Sequence, residues 1–302
     1  MNLCYRILRA IVDVFIGVPL LLFDRVLWHL SHTLYYKVYR GLTYAAASSI
    51  YREVPFHFMS AGYLPRDKAD AEKLRVVVDQ SSNWPQVLQP HFFLYEKALS
   101  FLPSYPKLTE LRLLEVGCGQ GGGIRWLLSA HPELAATTGL DLCVHDNLDG
   151  LIIQGDALAL PQPDSSVDIL LNVESSHQYP DRATFYGQVA RVLKPGGYFC
   201  YTDICHAEDQ TTEFGVEPYS ELRTMLGGVG LDQVAFVDIS AEILAARDQS
   251  AERYAALVDS APLYIWMTRR PMKKYVQTSY DEVENGHTLY FSSCWQKRKL
   301  TN

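Results

Sequence analysis

The chain has 302 residues, enough for one large domain with a substantial appendage. Hydrophobic residues make up 48% and charged residues 20%, a globular composition with ample material for a core. The net charge of −7 argues against a general nucleic-acid binder, and six cysteines without a C-x-x-C pair fit neither a zinc site nor a disulfide framework. A reduced cytoplasmic compartment and no bound metal are expected.

Residues 1–65 read as a hydrophobic, aromatic and helical extension. Within it "ILRAIVDVFIGVPLLLF", residues 7–23, is strongly apolar but carries Arg9, Asp13 and Pro19, and is short for a membrane span. Trp28, Tyr35, Tyr36, Tyr39, Tyr44 and Tyr51 follow. Two readings stay open: a helix lying in a membrane interface, giving peripheral membrane contact, or a helical cap over the catalytic domain or a dimer partner.

Residues 66–302 read as one domain. A polar loop runs into a helix over 66–78, and "PHFFLYEKALSFL", residues 90–102, is amphipathic at helical spacing before Pro103 and Pro106 break the chain. Then strand, helix, strand follow as "LRLLEVG", "GIRWLLSAH" and "AATTGLDL". "GLIIQGDA" and "SVDILLNVES" are further strands, "DRATFYGQVARVL" a helix, and "GGYFCYTDI" the fifth strand. A helix over "YSELRTMLGGVG", a strand over "QVAFVDIS", a long helix from "AEILAARDQS" and a last strand, "HTLYFSSCWQ", complete the chain. This alternation predicts an α/β fold: a seven-stranded, mostly parallel, Rossmann-like sheet with helices on both faces. One connection is short. Only "CVHDNLDG" separates Leu142 from Leu151, where a parallel crossover normally needs a dozen residues or more. Either the usual helix is absent or the second strand is misplaced; Asp141 lies where a ribose-binding acid belongs, which favours keeping the strand.

The first strand ends in "LLEVGCGQGGG", five glycines in seven positions. No lysine follows, so a P-loop is set aside. Gly117, Gly119 and Gly122 fit the dinucleotide fingerprint G-x-G-x-x-G, a weak signal alone. Glu115, Gly117, Gly119 and Gly121 fit acidic-x-Gly-x-Gly-x-Gly, the pattern of class I S-adenosylmethionine (SAM) methyltransferases. SAM carries a sulfonium cation and an amino-acid end, and no phosphate; an acid at the strand end suits it and would oppose a pyrophosphate. A turn that binds nothing is the bland alternative, as is Cys118 being only a small residue that fits.

In such a sheet ligands bind beyond the carboxyl ends of the strands. Asp141 ends the second strand and could accept both hydroxyls of a ribose. Asp156, after the third strand, could accept an adenine amine while the Ala157 N–H meets the ring; a turn aspartate is the alternative. Asn172 ends the fourth strand beside the expected amino-acid end of the cofactor.

"LEVGCGQGGG", "TGLDL", "GDALALPQPDSSVDILLNVESSHQYP" and "ARVLKPGGYF" together resemble class I SAM-dependent methyltransferases, densely over residues 110–205. Within that class the chain resembles the phthiotriol/phenolphthiotriol dimycocerosate methyltransferase type, which O-methylates a long lipid diol, and "VPFHFMSAGY", residues 54–63, is similar to a segment upstream of the domain in that group. The resemblance implies SAM as cofactor, held by Glu115, Gly117, Cys118, Gly119, Asp141, Leu142, Asp156, Ala157 and Asn172. It also implies a hydrophobic lipid or natural-product substrate.

An alcohol must lose its proton for methyl transfer, which calls for a general base. His177, after the fourth strand in "ESSHQYP", is the candidate, with Asp203 of "YTDI" orienting it. Glu174 is the alternative base and His206 a weaker rival. A C- or N-methyltransferase of the same fold stays open, with Tyr179, Tyr198 and Tyr201 as aromatics for a carbocation. So does a SAM-binding protein without methyl transfer.

Overall fold

The computed structural model describes residues 58–80, 84–144, 146–208, 216–249 and 280–299. Residues 1–57 of the expected helical extension (1–65), with its apolar stretch 7–23, lie outside the described residues, as do residues 250–259 of the expected long helix. Elements are numbered along the described residues. Helices α1 (Lys68–Val78) and α2 (Gln89–Leu99) precede β1 (Arg112–Val116), α3 (Gly122–Ala130), β2 (Ala136–Asp141), β3 (Ile152–Gln154) and β4 (Val167–Val173). Then come α4 (Arg182–Val192), β5 (Leu193–His206), α5 (Tyr219–Gly228), β6 (Leu231–Asp238) and β7 (Thr288–Lys297). Short helical stretches lie over 240–249 and 280–284. Among the described residues no helix is long and apolar enough to cross a membrane.

The seven strands form one sheet in the order β3-β2-β1-β4-β5-β7-β6. All neighbours are parallel except β7, which is antiparallel to both β5 and β6. This is the Rossmann-like fold expected from the alternation of elements. The central strands read as continuous apolar runs because both faces are covered. One core joins α1, α2 and α3 to Leu113, Ile169 and Leu171; the other joins α4 and α5 to Leu114, Leu170, Phe199 and Tyr201. The order reverses between β1 and β4, and in such sheets ligands bind in the crevice outside the carboxyl ends of the strands at that switch point.

Helix α2 differs from the expected amphipathic pattern. Pro90 and every residue from Phe92 to Leu99 are buried, Glu96 and Lys97 included. Both charges are met by residues distant in sequence. Glu96 Oε1 accepts from Trp126 Nε1 (2.8 Å) and lies 3.2 Å from His131 Nε2, while Lys97 Nζ reaches Asp70 at 2.7 Å. A buried charge is tolerated only with such partners.

The short connection after Asp141 is real, and β2 stands where the sequence placed it: Gly139, Leu140 and Asp141 pair with Ile152, Ile153 and Gln154. Turns replace the usual crossover helix. Leu148, Asp149 and Gly150 take left-handed φ values of +47°, +56° and +88°. Leu148 and Ile152 then pack against the glycine loop, where a Cβ on Gly121 would lie 3.1 and 2.5 Å from them.

Candidate active site

The glycine loop turns between β1 and α3 at three left-handed glycines, Gly117, Gly119 and Gly121. Two of them also answer a close approach. A Cβ on Gly117 would lie 1.8 Å from Ser175 Oγ and 2.7 Å from Tyr179 Oη. The Gly119 N–H donates to Asp141 Oδ2 (2.8 Å) and the Cys143 N–H to Oδ1 (3.0 Å). The acid expected to hold a ribose therefore also braces the loop, and it is buried there. Cys118 is buried with its Sγ over Gly139, and burial pushes its thiol well up, so it fills space and is no nucleophile.

Glu115 is 0% exposed. Its Oε1 accepts from Tyr95 Oη at 2.6 Å, and its Oε2 has no partner. Burial, and next to it the Asp141 charge, push this carboxyl up to about 7 against the opposing Tyr95 hydrogen bond. Asn172, on the neighbouring strand, donates from Nδ2 to Val116 O (2.8 Å) and Tyr179 Oη (3.2 Å), while its buried Oδ1 is unpaired. Two orphaned buried acceptors at adjoining strand ends ask for a donor that is not part of the chain. An ammonium group is such a donor, so these residues fit the amino-acid end of SAM and would reject a phosphate.

The residues expected to hold an adenine are less enclosed. Asp156 is exposed and its Oδ1 accepts the Leu158 N–H (2.9 Å), the behaviour of a turn aspartate. Ala157 is buried beside it, and Leu142 is 55% exposed next to Asp141. An apolar side chain left in water at this strand end is consistent with a ring that covers it.

Beyond β4 the chain makes a single turn over Ser176–Gln178, and it brings the expected base and its partner together. His177 Nδ1 lies 2.6 Å from Asp203 Oδ1, with the histidine side chain 13% exposed and the aspartate 0%. Asp203 lies one residue past the last β4–β5 pair, Val173↔Thr202, though β5 itself runs on to His206 beside β7. Its carboxylate also accepts the Ser176 hydroxyl (2.7 Å), the His177 N–H (3.1 Å) and the Ile204 N–H (2.8 Å). Burial alone would raise this carboxyl, but His177, then Arg182 and Ser176, hold it below the usual carboxylate range. With Asp203 ionised, His177 carries its proton on Nδ1, and Nε2 accepts from Gln178 Nε2 at 2.8 Å.

Behind the dyad lies a buried polar chain that sequence reading did not anticipate. Ser176 Oγ pairs with Tyr201 Oη (2.6 Å), which also meets Tyr186 Oη (3.1 Å) and Arg182 Nη1 (3.5 Å); Arg182 is ion-paired to Glu217. Tyr201 is thus a support for Asp203, and no wall for a carbocation. Tyr198 pairs with Ile169 in the first half of β4 and its Oη accepts from Gln296, so it lies away from the strand ends. Of the three tyrosines only Tyr179 stands over the glycine loop. His206 is buried at the end of β5 beside Glu217 and Pro218, and burial followed by Arg182 lowers its basicity.

Glu174 follows β4 directly, with a left-handed φ of +47°. Its two oxygens share the Ala61 N–H at 3.1 and 3.0 Å. Burial, with Asp203 adding to it, pushes this carboxyl up to about 8 against the Ala61 hydrogen bond. Residues 58–65, placed with the extension on hydropathy, are not helical and pack into the domain: Phe58 and Tyr63 are buried in its core. Tyr95, Ser175 and Ala61 were not legible as site residues; nothing local separates them from core or loop positions.

A family model described as a methyltransferase domain matches residues 114–201. The chain is 33% identical over 218 residues to phthiotriol/phenolphthiotriol dimycocerosates methyltransferase 1 of Mycobacterium ulcerans, covering 68% of this chain and 74% of that protein. It is 36% identical over 198 residues to a fatty-acid O-methyltransferase of Mycolicibacterium smegmatis, covering 62% and 68%. The fold is similar to the crystal structure of geranyl diphosphate C-methyltransferase from Streptomyces coelicolor in complex with Mg2+, geranyl diphosphate and S-adenosyl-L-homocysteine. There the TM-score is 0.57 with 16% identity, over 84% of this chain and 98% of that one. The relatives, the strand order and the acid-and-glycine loop agree, and the chain belongs to the class I SAM-dependent methyltransferases, enzymes that take S-adenosylmethionine as cofactor.

Proposed function

We propose that this enzyme O-methylates a hydroxyl on a hydrophobic lipid or natural-product substrate, with His177 as general base. The observation that carries the reading is the His177–Asp203 pair, 2.6 Å apart, with the carboxylate fully buried. When bound, the cofactor supplies a methyl group on a sulfonium. The chain's own part is to seat it and to take a proton. In this reading Glu115 and Asn172 receive the ammonium, Asp141 the ribose, and Asp156, Ala157 and Leu142 the adenine. His177 Nε2 takes the hydroxyl proton, and the imidazolium that forms is stabilised by Asp203, as in other bases oriented by a buried carboxylate. Gln178, now donating to Nε2, yields that position to the substrate.

A second reading has its own support, since one relative is named a fatty-acid O-methyltransferase. A carboxylic acid has already lost its proton at neutral pH and needs no base. The buried, four-fold hydrogen-bonded Asp203 favours the hydroxyl. The two are separated by assaying a long-chain alcohol and the matching fatty acid with wild type and His177→Ala. Loss of roughly 10²–10⁴-fold on the alcohol is expected, the usual range for a lost base, with cofactor affinity unchanged. Turnover of the fatty acid alone, unaffected by His177→Ala, would overturn the base assignment.

The lipid-like substrate also gives the apolar stretch 7–23 a role in this proposal: peripheral contact with a membrane that holds the substrate. Its support is the sequence itself.

A further inference from the structure

Two glycines of the glycine-rich motif, Gly122 and Gly123, lie outside the acidic-x-Gly-x-Gly-x-Gly pattern. Gly123 lies in the first turn of α3, and a Cβ there would stand 2.2–2.4 Å from the ring and hydroxyl of Tyr95. Only a glycine lets that ring lie against α3. Tyr95 comes from α2, before the first strand, and is buried. Its hydroxyl reaches Glu115 Oε1 at 2.6 Å, and the Phe58 ring meets it edge-on at 6.0 Å. Glu115 therefore has one oxygen pinned and the other, Oε2, without a partner while fully buried. A carboxylate free to rotate in such a place would turn toward the nearest N–H.

We propose that Tyr95 is a cofactor-positioning residue: seated on Gly123, it fixes the Glu115 carboxylate so that Oε2 is presented to the ammonium group of the cofactor's amino-acid end. This rests on Glu115 being part of the cofactor site. The groups facing Glu115 are Tyr95 from α2, Asp141 from the end of β2 and Cys118 from the loop; Glu174 reaches the same tyrosine from β4. Asp141 opposes ionisation of Glu115 and the Tyr95 hydrogen bond favours it. The tyrosine thus places the carboxylate and also helps to keep it charged at neutral pH. Binding of a cationic amine should tighten as pH rises through about 7 and Glu115 loses its proton.

The test is calorimetry of S-adenosylhomocysteine on the full chain between about pH 6 and 8.5, for wild type, Tyr95→Phe and Glu115→Gln. A parallel titration uses 5′-methylthioadenosine, which lacks the amine. Tyr95→Phe keeps the ring on Gly123 and loses only the hydroxyl. S-adenosylhomocysteine should bind it about ten-fold more weakly at pH 7, the loss expected for one hydrogen bond to a charged group. The midpoint of its pH dependence should move up, and 5′-methylthioadenosine should bind as in wild type. Equal weakening of both ligands, or no movement of the midpoint, overturns the positioning role and leaves a merely structural tyrosine. If Glu115→Gln binds S-adenosylhomocysteine like wild type at every pH, the underlying placement of Glu115 in the cofactor site fails as well. Gly123→Ala, which forces the ring away by another route, should reproduce the Tyr95→Phe shift; a wild-type profile there would also overturn the proposal.

Discussion

Glu115 sets cofactor binding against stability, and the conflict can be measured without any substrate. In the ligand-free fold this carboxyl is 0% exposed, holds one hydrogen bond, and has its ionisation pushed from an ordinary 4.5 up to about 7. Between those two pH values the folded protein keeps a proton that the unfolded chain has released. Stability from this group is therefore full below about 4.5 and falls as pH rises toward 7 and beyond. Each pH unit of such a difference is worth about 1.4 kcal/mol, so the window amounts to about 3 kcal/mol. Glu115→Gln cannot ionise. Its unfolding free energy minus that of wild type should grow by about 3 kcal/mol between pH 4.5 and 8, whatever constant offset the amide introduces. Urea denaturation at a series of pH values reads that difference, with all other titrating groups common to both proteins. Saturating S-adenosylhomocysteine should shrink it above pH 7, because the ligand's ammonium meets the charge in wild type alone. A difference that stays flat across the range would refute the claim that burial governs Glu115.

Two further outcomes follow from the geometry. Asp203→Asn replaces an acceptor-only group that takes four hydrogen bonds with an amide that must present a donor to one of them, so turnover on an alcohol should fall by 10²-fold or more while calorimetric S-adenosylhomocysteine affinity holds; near-normal turnover would detach Asp203 from the chemistry. Gly117→Ala forces a Cβ onto a backbone at φ +74° and into Ser175 and Tyr179, so it should cost about 2 kcal/mol or more in denaturant unfolding and abolish cofactor binding; a change within about 0.5 kcal/mol would mean the loop has room that the structure does not show.

The strand ends were legible because physics concentrates their signals. An apolar run closing in glycine or an acid marks where a buried parallel strand meets ligand, and Glu115, Asp141, Asn172 and Asp203 all stand at such places. His177 was legible for the same reason: a polar residue four positions past a buried strand. Tyr95 was not. It sits in "HFFLYEKAL", where every residue reads as core, and only its meeting with Gly123 and Glu115 gives it a role. The amphipathic reading of residues 90–102 did not foresee the burial of Glu96 and Lys97, because their partners, Trp126, His131 and Asp70, come from other elements. β5 begins earlier than expected, at Leu193, since "KPGG" suggests a turn; the chain instead makes a bulge between Val167 and Ile169 and resumes pairing at Tyr198. Asp156 is the opposite case: a turn aspartate and an adenine ligand leave the same trace in sequence, and its Oδ1 accepts the Leu158 N–H.

The segment around residues 58–63 changes how the upstream chain relates to the chemistry. Hydropathy divides the sequence near residue 65, yet Phe58 stacks on His91 at 5.0 Å and edges against Tyr95, and the Tyr63 N–H donates to Pro90 O at 2.7 Å. Between them the Ala61 N–H is shared by both oxygens of Glu174. Glu174 is itself costly to hold. A non-glycine residue in the left-handed region loses about 1–2 kcal/mol, and its carboxyl is raised to about 8, so it stays mostly protonated at neutral pH. Such strain persists only where surrounding contacts enforce it. Here the enforcing contacts are the ladder bond to Thr202 O and the Ala61 N–H. The same short segment thus touches Glu174, which neighbours the His177–Asp203 dyad, and through Phe58 and Tyr95 it touches Glu115 at the glycine loop. Glu115 is buried and Glu174 half-buried, both carboxyls are raised, and both would ionise on meeting a cation. Residues 58–63 are therefore anchored at the two carboxyls of the site whose charge is most easily altered.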